Sequence, residues 1–256
     1  MANRLKSVEL FLATSFLAVG AHGVMAAEST DVSTLDEVEA TSMTAEVIAQ
    51  GGEGGEGGEG GEGGEGGAPD FEDILSGPEL RDELQEGGYV IYFRHAQTER
   101  DYADQADPNI NLNDCSTQRT LSEAGWRQAQ VIGSSFEALE IPIGEIYSSE
   151  YCRAWQTAAI AFGEYQKTSA LNFYPAEEYT DEQFAQMREA VMPLLTAVPA
   201  SGTNTIIVGH DDVFESATGI YPDPQGIAYV LEPDGQGGFE ILANLLPQDW
   251  ALIPSE

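Results

Sequence analysis

The chain has 256 residues, 42% of them hydrophobic, and carries 10 Lys and Arg against 44 Asp and Glu, for a formal net charge of −34. That length and apolar content suit one globular domain of ~150 to 200 residues with a sizeable core, plus appendages. The charge excludes nucleic acid as a partner, because a run of phosphates needs cations to neutralise it, and it disfavours anionic membrane surfaces for the same reason.

Residues 1–26 have the order of a secretory signal: Arg4 and Lys6, then an apolar run from Val8 to Val19, then small residues through Ala26. The run falls short of the ~20 residues a spanning helix needs, so the expectation is cleavage near Ala26. A periplasmic or secreted product without stable membrane insertion follows. Residues 27–50 are acidic, rich in Ser and Thr and free of aromatic side chains, which predicts disorder. Residues 51–67 repeat Gly-Gly-Glu, the composition of a flexible, self-repelling tether.

The folded domain is expected over residues 68–256, where strand and helix signals alternate in the manner of an α/β layered fold. Tyr89–Phe93 follows Gly87-Gly88 and reads as a buried strand. Thr120-Leu-Ser-Glu123 offers a capping box for a helix whose apolar positions Val131, Ile132, Phe136 and Leu139 keep helical spacing. A second strand is expected over Ile141–Tyr147, a helix over Asp181–Thr196 with Pro193 limiting its last turn, and a third strand over Thr205–Val208. Ile227–Leu231 and Phe239–Leu242, around Pro-Asp-Gly-Gln-Gly-Gly, read as a hairpin on the sheet edge. The fold class is therefore α/β, a three-layer sandwich with a mainly parallel central sheet flanked by helices. Cys115 and Cys152 are the two cysteines, and in an exported protein either a disulfide or two buried thiols fits them.

Three of the strands deliver polar residues just past their carboxyl ends, where open α/β sheets build their sites. They are Arg94-His95, then Ser148-Ser149 with Arg153, then Gly209-His210. Signal removal takes away Arg4, Lys6 and His22, leaving eight Lys and Arg and two His, both at strand ends. In a chain that otherwise avoids positive charge, arginines beside those histidines point to an anionic ligand. Neither G-x-G-x-x-G nor a P-loop follows any strand, which argues against dinucleotides and nucleoside triphosphates.

Arg94-His95-Ala96-Gln97-Thr98 resembles the Arg-His-Gly/Ala-x-Thr signature of the histidine phosphatase superfamily, which includes phosphoglycerate mutases and acid phosphatases. The likeness continues through Leu121–Gly125, through Ser148–Arg153 with Thr157-Ala158, and through Val208-Gly-His210. It implies a phosphoglycerate mutase-like fold and a phosphatase acting on a small phosphorylated substrate without cofactor or metal. His95 would be the nucleophile and form phosphohistidine. Arg94, Arg153 and His210 would hold the phosphoryl oxygens, and Thr98 would add a hydroxyl. Asp211 resembles the proton donor of the acid phosphatase branch. Glu177 or Glu178 would serve if the chain followed the other branch, and a third reading makes Asp211 a helix cap. Arg100 and Arg119 lie in a polar segment from Glu99 to Thr120 suited to a substrate-facing lid. The competing expectation is a non-catalytic envelope protein of the same fold that binds phosphorylated ligands.

Overall fold

The computed structural model describes residues 71–99, 104, 107–176 and 178–255. The signal, the acidic segment and the Gly-Gly-Glu repeat lie outside that range, as do Arg100 and Glu177. Among the described residues, no helix is long and apolar enough to cross a membrane.

Among the described residues, five helices and six strands follow in chain order: α1 (Gly77–Glu86), β1 (Val90–Arg94), α2 (Glu123–Ala138), β2 (Ile143–Ser148), α3 (Cys152–Phe162), β3 (Gln166–Lys167), α4 (Asp181–Leu195), β4 (Asn204–Gly209), α5 (Asp211–Thr218), β5 (Ala228–Pro233) and β6 (Phe239–Leu245). They build one sheet in the order β3-β2-β4-β1-β5-β6. The first four strands of that order are parallel, whereas β5 and β6 run antiparallel as the edge hairpin, so the sheet is mixed. Central strands β1 and β4 are buried along their whole length, as their unbroken apolar runs require when both faces are covered.

Alternate side chains of β1 feed two cores, because successive strand residues face opposite ways. Ile91 and Phe93 pack with Leu80 and Leu84 of α1, Ile132 and Phe136 of α2, and Ala154 and Ala158 of α3. Val90 and Tyr92 pack on the other side with Met187, Val191 and Leu195 of α4 and with Val213 and Phe214 of α5. The sandwich thus has three layers, as its sequence pattern implies.

One detail, the start of α2, differs from the sequence reading. Helix α2 starts after Ser122, whose hydroxyl caps Gly125 N–H, and not after Thr120. Thr120 O accepts from Glu99 N–H and Leu121 bridges Thr98, which holds that stretch extended. Helix α4 runs from Asp181 to Leu195 with Pro193 in its last turn, within one residue of the expected end, and begins with a full capping box between Thr180 and Gln183.

Candidate active site

Because β1, β2 and β4 are parallel, their carboxyl ends share one edge of the sheet, and there Arg94, His95, Arg153 and His210 come together. His95 N–H donates to Gly209 O at 3.0 Å, and Ser149 N–H to Val208 O at 3.0 Å, which stitches the three strand ends together. Two glycines make the close approaches possible. A Cβ on Gly209 would lie 2.2 Å from the Tyr92 hydroxyl, and one on Gly125 would lie 1.9 Å from Gln97 O.

His95 is 1% exposed. Its Nδ1 is 2.9 Å from Ala96 O, and a carbonyl can only accept, so Nδ1 carries the proton and Nε2 keeps its lone pair. That lone pair meets Nε of Arg153 at 3.2 Å. Burial first, then the charges of Arg153 and Arg94, hold the imidazole well below its ordinary pKa, so it is neutral at physiological pH. The loop behind it is fixed from two helices. Thr157 Oγ1 accepts Ala96 N–H at 3.0 Å, Gln128 Oε1 accepts Gln97 N–H at 2.8 Å, and Ser122 Oγ donates to Gln97 O at 3.2 Å.

His210 is equally buried, with its ring centroid 5.4 Å from that of His95. Tyr151 and Phe173, stacked at 4.3 Å, both present themselves edge-to-face to it. Its Nε2 lies 2.9 Å from Ser149 Oγ, which donates to Asn172 Oδ1 at 2.8 Å. Burial, then Arg153 and His95, push its pKa well down too. The Tyr92 hydroxyl grips its backbone, donating to His210 O at 2.7 Å and accepting His210 N–H at 2.9 Å.

Both arginines are buried and already paired. Arg94 Nη2 meets Asp211 Oδ2 at 2.5 Å, while its Nη1 donates to Pro222 O at 2.9 Å and Asp223 Oδ1 at 3.2 Å. Arg153 Nη1 meets Asp104 Oδ2 at 2.9 Å, and burial draws this guanidinium down from its usual pKa against the opposing charge of Asp104. Asp211 opens α5, whose N-cap is His210, so the cap reading of Asp211 is corrected by one residue. Tyr221 donates to Asp211 Oδ2 at 2.7 Å and lies under Arg94.

His95, Arg94, Arg153, His210 and Asp211 are thus brought to one place. The Thr98 hydroxyl is 1% exposed with its residue and donates to Gln225 Oε1 at 3.3 Å, so here it braces the loop. Glu178 is exposed. Arg119 contributes positive charge felt by His95, Arg153 and His210, while its backbone N–H donates to Asp104 Oδ2 at 2.6 Å. Cys115 and Cys152 form a disulfide that ties the segment before α2 to the first residue of α3. Sequence reasoning passed over Asp104 and Asp212. Asp212 lies beside Asp211 and accepts the Tyr179 hydroxyl at 2.9 Å, and burial followed by the Asp211 charge pushes it up to about 6. Adjacency to His210-Asp211 was a usable signal for Asp212. Asp104 had none.

Residues 90–172 match the family model "Histidine phosphatase superfamily (branch 1)". No curated protein matches by sequence. Solved structures similar to this chain include the protein histidine phosphatase SixA complexed with tungstate, 14% identical, covering 63% of this chain and 98% of that one with a TM-score of 0.45. A phosphoserine phosphatase mutant from Entamoeba histolytica in complex with phosphoserine is also 14% identical, covering 62% and 98% with a TM-score of 0.43. The matched residues 90–172 include three of the four sequence motifs, so this stretch of the chain is similar to the histidine phosphatase superfamily (branch 1).

Proposed function

We propose that the chain is an exported phosphatase that hydrolyses phosphate monoesters through a phosphohistidine on His95. The observation that carries this reading is the tautomer of His95: with Nδ1–H committed to Ala96 O, the lone pair lies on Nε2, which accepts the Arg153 Nε–H and meets phosphorus when that N–H passes to the phosphoryl oxygens. Export rests on the signal-like residues 1–26.

In the first step the Nε2 pair attacks phosphorus in line. The P–N bond forms as the ester P–O bond breaks, and its electron pair leaves with the alcohol oxygen, which takes a proton from a carboxylic acid. In the second step that carboxylate removes a proton from water, the water oxygen bonds to phosphorus, and the P–N pair returns to Nε2, releasing inorganic phosphate. Arg153, Arg94 and His210 supply donors to the equatorial oxygens, each removal lowering kcat on the order of 100-fold by analogy with oxyanion-hole donors. Asp211 is the donor of the leaving-group proton in this reading, and Asp212, which keeps a proton up to about pH 6, is its neighbour on the same turn. Asp211→Asn should then slow esters of poor leaving groups much more than p-nitrophenyl phosphate. The same selectivity in Asp212→Asn instead would move the role by one residue.

The decisive test is His95→Ala, with rapid quench of the wild type on labelled substrate. Loss of turnover in the variant and acid-labile, base-stable label on the wild type are expected. Normal turnover by His95→Ala would sink the mechanism, and a wild type that binds phosphate analogues without turning over any ester would establish the non-catalytic binder.

A further inference from the structure

Arg153 touches the nucleophile through one nitrogen, and the group at its other end plays no part in the scheme above. Asp104 is 0% exposed, and its Oδ2 gathers two donors, Nη1 of Arg153 at 2.9 Å and the backbone N–H of Arg119 at 2.6 Å. Oδ1 is buried and has no hydrogen-bond partner among the described residues. The ion pair joins distant parts of the chain: Arg153 stands on the first turn of α3, and Asp104 comes from the segment between β1 and α2. That segment is tied to the same turn twice more, by the Cys115–Cys152 disulfide and by Cys152 N–H, which donates to the buried Gln118 Oε1 at 2.8 Å. Three ties to two consecutive residues of one helix are more than a surface loop needs. Two of them hold the backbone turn that carries Arg153, and the Asp104 carboxylate meets the guanidinium itself.

We propose that Asp104 is a positioning residue for phosphoryl transfer. It holds Arg153 beside His95 Nε2, within reach of the oxygens of a phosphoryl group bound there, and its charge weakens the grip of Arg153 on the bound phosphate dianion. Long side chains such as arginine have many rotamers, and a misplacement of ~1 Å at a reacting centre can slow turnover on the order of 100-fold. A carboxylate on one side of the guanidinium also opposes a phosphate on the other, which limits uniform binding that would delay product release without aiding the chemistry. This inference rests on His95 as the nucleophile.

The test uses the full chain, p-nitrophenyl phosphate as substrate and orthovanadate as the phosphate-like probe. Asp104→Ala, which frees Arg153, should lower kcat on the order of 100-fold with less change in KM. Asp104→Asn keeps an oxygen for both donors but removes the charge. It should recover most of kcat and be inhibited by orthovanadate at lower concentration than the wild type. Wild-type kcat in Asp104→Ala would overturn the proposal. So would equal losses in both variants that track a fall in folded fraction, or vanadate inhibition unchanged or weakened in Asp104→Asn. Normal turnover by His95→Ala would instead bring down the underlying mechanism, whereas a dead His95→Ala beside unaffected Asp104 variants removes the positioning role alone.

Discussion

Removing one oxygen from Tyr92 should measurably loosen both the fold and the site. The phenol is fully buried on central strand β1, against the Phe214 ring at 4.7 Å, and Tyr92→Phe leaves that packing intact. Two hydrogen bonds to the His210 backbone disappear, and they are not equivalent. His210 O still accepts Phe214 N–H at 3.3 Å, so its loss is that of an ordinary bond, about 1 kcal/mol. His210 N–H is left buried with nothing to donate to, which costs about 1–3 kcal/mol. The expected destabilisation is therefore about 2–4 kcal/mol, read as a lower urea midpoint at unchanged m-value, together with a fall in kcat as His210 loses its anchor. Gly209→Ala supplies the control, because its Cβ would meet the same hydroxyl at 2.2 Å and force the ring aside. The two substitutions attack one contact, so the double variant should lose less than the sum of the singles. A Tyr92→Phe protein within about 0.5 kcal/mol of wild type with unaltered kcat would refute the reasoning, leaving Ser149 and the aromatic rings as the true holders of His210.

Both buried histidines should remain neutral well below the ordinary midpoint near 6.5, so the ring nitrogens of His95 and His210 should keep a neutral-imidazole NMR pattern at pH 6; titration near 6.5 would contradict the burial argument. Because the unfolded chain then binds more protons than the folded one, their contribution to stability is lost as pH falls below about 6.5, visible as a falling urea midpoint. Asp212 acts in the opposite sense: raised to about 6, it holds a proton in the folded state that the unfolded chain gives up near 4, so stability is lost as pH rises through that window. Asp212→Asn should therefore be more stable than wild type at pH 7.5, by on the order of 2 kcal/mol, with no such gain at pH 4. Finally, reduction of Cys115–Cys152, separated by 37 residues, should destabilise the domain by about 3–4 kcal/mol and lower kcat; a reduced protein as active and stable as the oxidised one would show that the tie is idle.

The cluster of the candidate site was legible because each member lies within a few residues of an unmistakable buried strand, so finding the strands located the residues. Arg94 ends β1, His210 follows β4, and Arg153 comes five residues after β2. The partners of those residues were not legible, since partnership is a property of tertiary structure. Asp104 is one of several acidic residues in a polar stretch, and nothing local separates it from Asp107. The helix start at Ser122 was missed because Thr120 has Glu123 three residues on, whereas Ser122 has Gly125 there, and the decision is made by a bridge between Thr98 and Leu121 outside the local window. Helix α5 escaped for a different reason: its eight residues give the helical period too little length to register.

The arrangement also revises what the arginines do. In so acidic a sequence, Arg94 and Arg153 read as a positive focus for an anion, yet each is neutralised inside the protein, Arg94 by Asp211 with Asp223 and Arg153 by Asp104. Their net charge is therefore largely spent before any ligand arrives. What they retain is direction: Arg153 Nε aimed at His95 Nε2, and a buried Arg94 Nε and Arg119 Nε without hydrogen-bond partners among the described residues. Donors fixed in a buried site need no reorganisation when charge develops, and in a low-dielectric setting orientation at a few ångströms outweighs the net field of distant carboxylates. A chain of net charge −34 can thus keep an anion site without a large basic patch, provided that the carboxylates which hold the arginines also set where their free N–H groups point.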